Sequence, residues 1–139
     1  MMKTNLLFLV TFSLLTTQNI FADNTDCFVI GFHSPGTHNY MGPTWCNNLS
    51  FENIVVYGPL YSDGSTISGV STVSGPIKMT KSKFDTINIK NTYTPQKVIL
   101  QNNSQVTGNI TFEGVSGTVL VDATSHVSGK VINGSVVNQ

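Results

Sequence analysis

The side chains best equipped for chemistry crowd one short stretch. Cys27 and Cys46, the only two cysteines, bracket His33, His38, Tyr40 and Trp45. Thiolates and imidazoles are metal ligands, but the spacing Cys-x5-His-x4-His-x7-Cys matches no common zinc arrangement. A Cys27–Cys46 disulfide is the expectation, with no metal and no cofactor. A bridge closing a loop of this size stabilises by about 3 kcal/mol in the chain-entropy model. Tyr40 and Trp45 could still line a ligand contact. The plainer role for this aromatic, proline-bearing segment is a cap over whatever follows.

Elsewhere the reactive residues are sparse. Ser125 and His126 adjoin, with Asp122 close by, yet no Gly-x-Ser-x-Gly elbow accompanies them. Glu52 and Asp85 occupy matching places in two similar phrases, and Asp63 and Asp122 are further carboxylates. Paired carboxylates cleave glycans when they flank one bond. Lys78, Lys81, Lys83, Lys90 and Lys97 fall within one stretch. They would suit an anionic glycan or lipid headgroup, or a solvated face that deters edge pairing. Of these, Lys78, Lys81 and Lys83 are the sharper candidates for surface contact. Asn-x-Ser/Thr occurs at Asn48, Asn102, Asn109 and Asn133. There is no glycine-rich phosphate loop and no aspartate-bearing calcium repeat.

What must position these residues is a repeat. VILQNNSQVTGNITFEGVSGT, residues 98–118, slides by 21 positions onto VLVDATSHVSGKVINGSVVNQ, residues 119–139. Val98 falls on Val119, Leu100 on Val121, Val106 on Val127 and Ile110 on Val131. Ser104 falls on Ser125, and Gly108 on Gly129. A fixed period of about 20 residues marks a repeat architecture. Within each unit apolar residues alternate, which is the strand period. Asn, Gly, Ser and Asp between the runs supply turns.

Earlier echoes are looser. Phe51-x-x-Ile54-x-Val56 matches Phe84-x-x-Ile87-x-Ile89 at an offset of 33. Gly58-Pro59-Leu60 matches Gly75-Pro76-Ile77, and Ser65-x-Ile67 matches Ser82-x-Phe84, both at 17. The prolines lack a donor and belong at corners. NTYTPQK, residues 91–97, breaks the pattern and reads as a corner loop. One coil cannot bury its own apolar side, but stacked coils share a core. The fold expected is all-β: a short right-handed parallel β-helix, or β-solenoid, of about 4–5 coils over residues 48–139. Residues 23–47 form its disulfide-pinned N-terminal cap.

Residues 1–22 are expected to be a secretory signal. Lys3 precedes an apolar run, Leu6–Leu15, and Ala22 offers a small residue for cleavage before Asp23. The run is too short to span a bilayer as a helix, and no transmembrane helix is expected in the mature chain. After it, six lysines face seven carboxylates, with no arginine. That balance gives no electrostatic reason to expect nucleic acid.

The phrase Val-x-Gly-x-Ile/Val after a short aliphatic strand resembles bactofilins, small bacterial proteins whose right-handed β-helix polymerises head to tail. It stands here as Val106-Thr-Gly108-Asn-Ile110 and Val127-Ser-Gly129-Lys-Val131. The likeness covers the tail clearly and residues 48–97 loosely. The signal segment, the disulfide-ready head and the lower coil number depart from that family. Bactofilins are cytosolic, so their cytoskeletal role does not carry over. The resemblance implies coil geometry and end-to-end assembly. Taken together, the sequence points to an exported, non-enzymatic β-solenoid, secreted, periplasmic or at the cell surface. Its partner would be another copy or an envelope component. A glycan- or surface-binding module is the alternative, ahead of a small carbohydrate-active enzyme.

Overall fold

Every coil of this chain ends in a turn that is dictated by small or polar residues, and every coil begins again in register with the last. The computed structural model describes residues 25–139, so residues 1–22, the expected secretory signal, lie outside the described residues. No helix occurs among them, and the strands stack in parallel. The result is a β-solenoid with three faces.

The first face is a ladder of Thr44–Asn47, Leu60–Asp63, Ile77–Thr80, Lys97–Gln101, Gly117–Val121 and Gly134–Asn138. The second stacks Ser50–Phe51, the start of Thr66–Val73, the start of Lys83–Thr92, Gln105–Val106 and His126–Val127. The third stacks Asn39–Met41, Ile54–Tyr57, the ends of those two long strands, Ile110–Gly114 and Val131–Ile132. At one end Phe28–Val29 pairs antiparallel with Thr44–Asn47, and Phe32–His33 pairs antiparallel with Asn39–Met41.

The first face has six rungs, so the solenoid makes about six turns rather than four to five. The difference lies at the start. Parallel pairing begins at Asn39, inside the segment expected to be only a cap. The Gly42-Pro43-Thr44 turn is the first member of a series continued by Gly58-Pro59-Leu60 and Gly75-Pro76-Ile77. Thr44 N–H donates to the Pro59 carbonyl and Leu60 N–H to the Pro76 carbonyl, each at 3.0 Å. These corners stack backbone on backbone. A Cβ on Gly75 would lie 2.7 Å from the Gly58 carbonyl carbon, so nothing larger fits there.

Inward residues form columns one rung apart. Val98 pairs with Val119, Leu100 with Val121, Val106 with Val127 and Ile110 with Val131, as the 21-residue offset implies. The 33-residue echo spans two rungs. Between Phe51 and Phe84 lies Ile67, and between Val56 and Ile89 lies Val73. That middle coil carries one extra residue at the Ser68–Val70 corner, where the register shifts. Val70 N–H is held by Asn53 Oδ1 at 2.8 Å. The insertion puts Ser71, not an aliphatic residue, between Ile54 and Ile87.

The corner joining the first and second faces carries a serine column. Leu49 N–H donates to Ser65 Oγ, Ser65 N–H to Ser82 Oγ, Ser82 N–H to Ser104 Oγ and Ser104 N–H to Ser125 Oγ, at 3.1 to 3.3 Å. Each hydroxyl hands its proton on: Ser65 to the Cys46 carbonyl, Ser82 to Thr80, Ser104 to Gln101. Just before Leu49, Ser65, Ser82 and Ser104 the chain turns through positive φ, at Asn48 (53°), Gly64 (65°), Lys81 (48°) and Asn103 (63°). Asparagine and glycine tolerate that region best.

Two buried serines should therefore respond oppositely to truncation. Ser82→Ala strips an acceptor from Ser65 N–H and is expected to destabilise by about 1–3 kcal/mol. Ser71 Oγ is buried with no partner, so Ser71→Ala is expected to be neutral or stabilising by about 1 kcal/mol. Denaturant midpoints of the two variants measure the contrast, and a destabilised Ser71→Ala would contradict it.

Candidate functional site

The cap gathers the reactive residues around one carboxylate. Asp26 precedes the Cys27–Cys46 disulfide, which ties the antiparallel flap to the first coil. Tyr40 Oη donates to Asp26 Oδ1 at 3.1 Å. His33 Nε2 and His38 Nδ1 lie 4.0 and 3.8 Å from the same oxygen. His33 stacks on Tyr40 with centroids 4.6 Å apart, and His38 packs on Phe51 at 4.0 Å. His33 Nε2 also donates to the Thr37 carbonyl at 2.6 Å, which fixes its proton on that nitrogen. Among the described residues no group of three or more His, Cys, Asp or Glu is placed to hold a metal ion.

Tyr40 must be removed from the surface candidates. It is fully buried in the first rung of the third face, stacked over Val56. Burial pushes its hydroxyl up to about 12, and the hydrogen bond to the Asp26 carboxylate raises it too. It is a core residue with a polar handle.

Trp45 is different. It stands on the outer side of the first face, between Phe28 on the flap and Tyr61 on the next rung. Trp45 and Tyr61 stack with centroids 5.2 Å apart and planes 14° from parallel. Phe28 lies 5.9 Å from Trp45 at 42°. Beside this stack runs a second outer row, Asn47, Asp63 and Thr80. A shallow depression of about 250 Å³ opens between Trp45, Tyr61, Asn47, Asp63 and Lys78. A smaller one of about 100 Å³, lined by Asp26, Phe28, Trp45 and Asn47, adjoins it.

The lysines do not make one patch. Lys78 joins the aromatic row on the first face, Lys81 sits at the corner, and Lys83 is on the second face. Lys90 pairs with Glu113 at 3.5 Å, and Lys97 opens the fourth rung of the first face. They encircle the middle coils. The carboxylates are equally dispersed. Glu52 and Asp85 are two coils apart at the corner between the second and third faces. Asp85 Oδ1 accepts from Thr107 at 2.8 Å. Asp122 accepts from Asn102 N–H at 2.8 Å and from the Thr124 backbone and hydroxyl, so it builds a turn. Ser125 Oγ is engaged in the serine column, and His126 N–H donates to the Ser104 carbonyl.

No family model, curated protein or solved structure matches the chain. The site therefore stands on its own geometry. Residue types alone did not single out Tyr61, Asn47 or Phe28. A signal existed: Trp45, Tyr61 and Lys78 each stand three residues after the glycine of a Gly-Pro corner, which places them in one outward row.

Two measurements probe this end and its opposite. Reducing Cys27–Cys46 is expected to cost about 3 kcal/mol. Exchange protection should fall at the Ile30 amide and persist at Val98 and Val119; uniform loss would be inconsistent with a local clamp. Asp122 is held at about 2, chiefly by the Asn102 N–H, then by Ser125 and Thr124. A depressed carboxylate stabilises above its unfolded pKa, near 3.8, and that contribution is lost as pH falls through about 2. The Asp122 carboxyl carbon, followed by NMR, should titrate near pH 2, with the Asn102 amide shifting alongside.

Proposed function

We propose that the chain is an exported, non-enzymatic β-solenoid that serves as a rigid structural or surface element and associates end to end. The supporting observation is the asymmetry of its ends. At the first coil, antiparallel strands and a disulfide cover the stack. At the last described coil, only the first face continues, through Gly134–Asn138. There Val127, Val131 and Val136 are inward residues left partly open, around a depression of about 200 Å³. The outer edges of His126–Val127 and Val131–Ile132 carry backbone groups with no strand beyond them among the described residues. Such edges template further pairing.

The bactofilin-like phrases fall at this same end. The intramolecular disulfide suits an oxidising compartment, in keeping with export. No described helix is long and apolar enough to cross a membrane. Asp63 and Asp122 lie away from the corner that Glu52 and Asp85 share two coils apart, and Asp85 and Asp122 accept hydrogen bonds from their own surroundings, which supports a non-catalytic reading. The partner is another copy or an envelope component offering a strand. A glycan- or surface-binding module is the second reading, favoured by the exposed stack at Trp45.

Sedimentation velocity across a concentration series, with electron microscopy, tests the first reading. Elongated oligomers are expected, and Val127→Asp at the open end should abolish them while leaving the circular dichroism spectrum intact. A monomer at every concentration would remove self-association.

A further inference from the structure

We infer that the outer side of the first face, over its first rungs, is a binding platform for a neutral glycan chain lying along the solenoid axis. This deepens the second reading above and does not depend on end-to-end association.

Three features converge there. The first is apolar surface at the right place. In the Phe28–Trp45–Tyr61 stack, Phe28 is 67% exposed and Trp45 and Tyr61 are half-buried, so the stack presents aromatic surface to solvent. Aromatic rings of this kind meet the C–H faces of sugars, as they meet other amphipathic surfaces.

The second is hydrogen-bonding capacity. Among the described residues, the Asn47 amide, the Asp63 carboxylate and the Trp45 indole N–H have no protein partner, and they border two adjoining depressions. A carboxylate accepts from paired hydroxyls, an amide both accepts and donates, and an indole donates. Polyols present that mixture of donors and acceptors. Charge excludes an anionic ligand as the preferred one. Residues 23–77 contain four carboxylates and no lysine or arginine, so Lys78 is the one cation bordering the depressions.

The third is periodicity. The row Trp45, Tyr61, Lys78 and the row Asn47, Asp63, Thr80, Gln101 each advance one rung at a time. The rung spacing is about 4.8 Å, close to the advance of one hexose unit in an extended chain. A glycan aligned with the axis meets an equivalent pair of side chains at each sugar. A peptide strand has no such access, because the inner strands of this face already pair with neighbours on both sides.

The only tryptophan is Trp45, so its fluorescence reports the platform directly. The disulfide-intact protein is titrated with cellohexaose, laminarihexaose and chitohexaose, and with heparin as an anionic glycan. A saturable emission change with at least one neutral hexasaccharide is expected. By calorimetry, Asp63→Ala and Tyr61→Ala should each weaken it about tenfold or more. Lys81→Ala and Lys83→Ala, which lie off this platform, should leave it unchanged. Asp63 is exposed, so its variant folds if circular dichroism and the denaturant midpoint match the parent. No response to any neutral hexasaccharide, a response to heparin alone, or an affinity insensitive to Asp63→Ala would each overturn the proposal. Binding by a strictly monomeric protein would uphold it while removing end-to-end association.

Discussion

The structure depends on one requirement: wherever the chain turns a corner, its backbone N–H must find an acceptor on the neighbouring coil. Along the faces the parallel ladders meet it automatically. At corners they cannot, because the strand direction changes. The serine column solves the problem between the first and second faces. Each Oγ accepts from the N–H of the coil before it, and those of Ser65, Ser82 and Ser104 donate to a nearby carbonyl. A buried backbone group left unpaired would cost about as much as a lost hydrogen bond, at every coil. The column is therefore as much a part of the core as Val98 or Ile87.

The other corners meet the same requirement with less side chain. Gly-Pro corners use the proline carbonyl as acceptor and glycine to let backbones touch. The Val-x-Gly corners do likewise: Gly108 N–H donates to the Asp85 carbonyl, and a Cβ on Gly129 would collide with the Gly108 carbonyl. Coil length is then free to vary, because added residues go to corners. Residues 93–96 leave as a loop between the third and first faces, with Tyr93 fully exposed; the strand before it shifts register between Ile89 and Thr92, and the strand after it pairs without a shift.

That freedom decides what could be read in advance. The last coils have equal length, so Val98, Val106 and Ile110 align with their partners by a simple slide, and the fold class followed. The early coils do not. The residue inserted before Ser71 breaks the period, so the echo of Phe51-x-x-Ile54 in Phe84-x-x-Ile87 spans two rungs, and only the start of the coil between them, Ser65-x-Ile67, aligns at 17. The first coil hid for another reason: Gly42-Pro43-Thr44 sits inside a disulfide loop rich in aromatics, where composition suggested a cap. Reading Tyr40 as a surface contact failed on the same ground. Its neighbour Trp45 has similar chemistry, yet the two occupy strands on different faces, one residue inward and one outward. Composition cannot tell these apart without the register, whereas the disulfide expectation needed only that the chain holds two cysteines.

Register also explains why the platform lies on the first face. The second and third faces share strands that bend and shift register, at Phe84–Thr86 and again at Ile89–Thr92. Every junction of the first face pairs without a shift, from Thr44 to Asn138. Its outer rows therefore run unbroken from rung to rung, and five spacings of about 4.8 Å make them about 24 Å long. Aromatic residues occupy the rungs nearest the disulfide, which clamps the flap carrying Phe28 onto the strand carrying Trp45. Aliphatic residues, Ile99 and Leu120, continue the same row toward Gly134–Asn138. A polymer lying on this face meets side chains whose spacing is set by backbone pairing alone. Because backbone pairing fixes where each of these side chains starts, only their rotamers remain to be ordered on binding, which favours a ligand whose period matches the rungs.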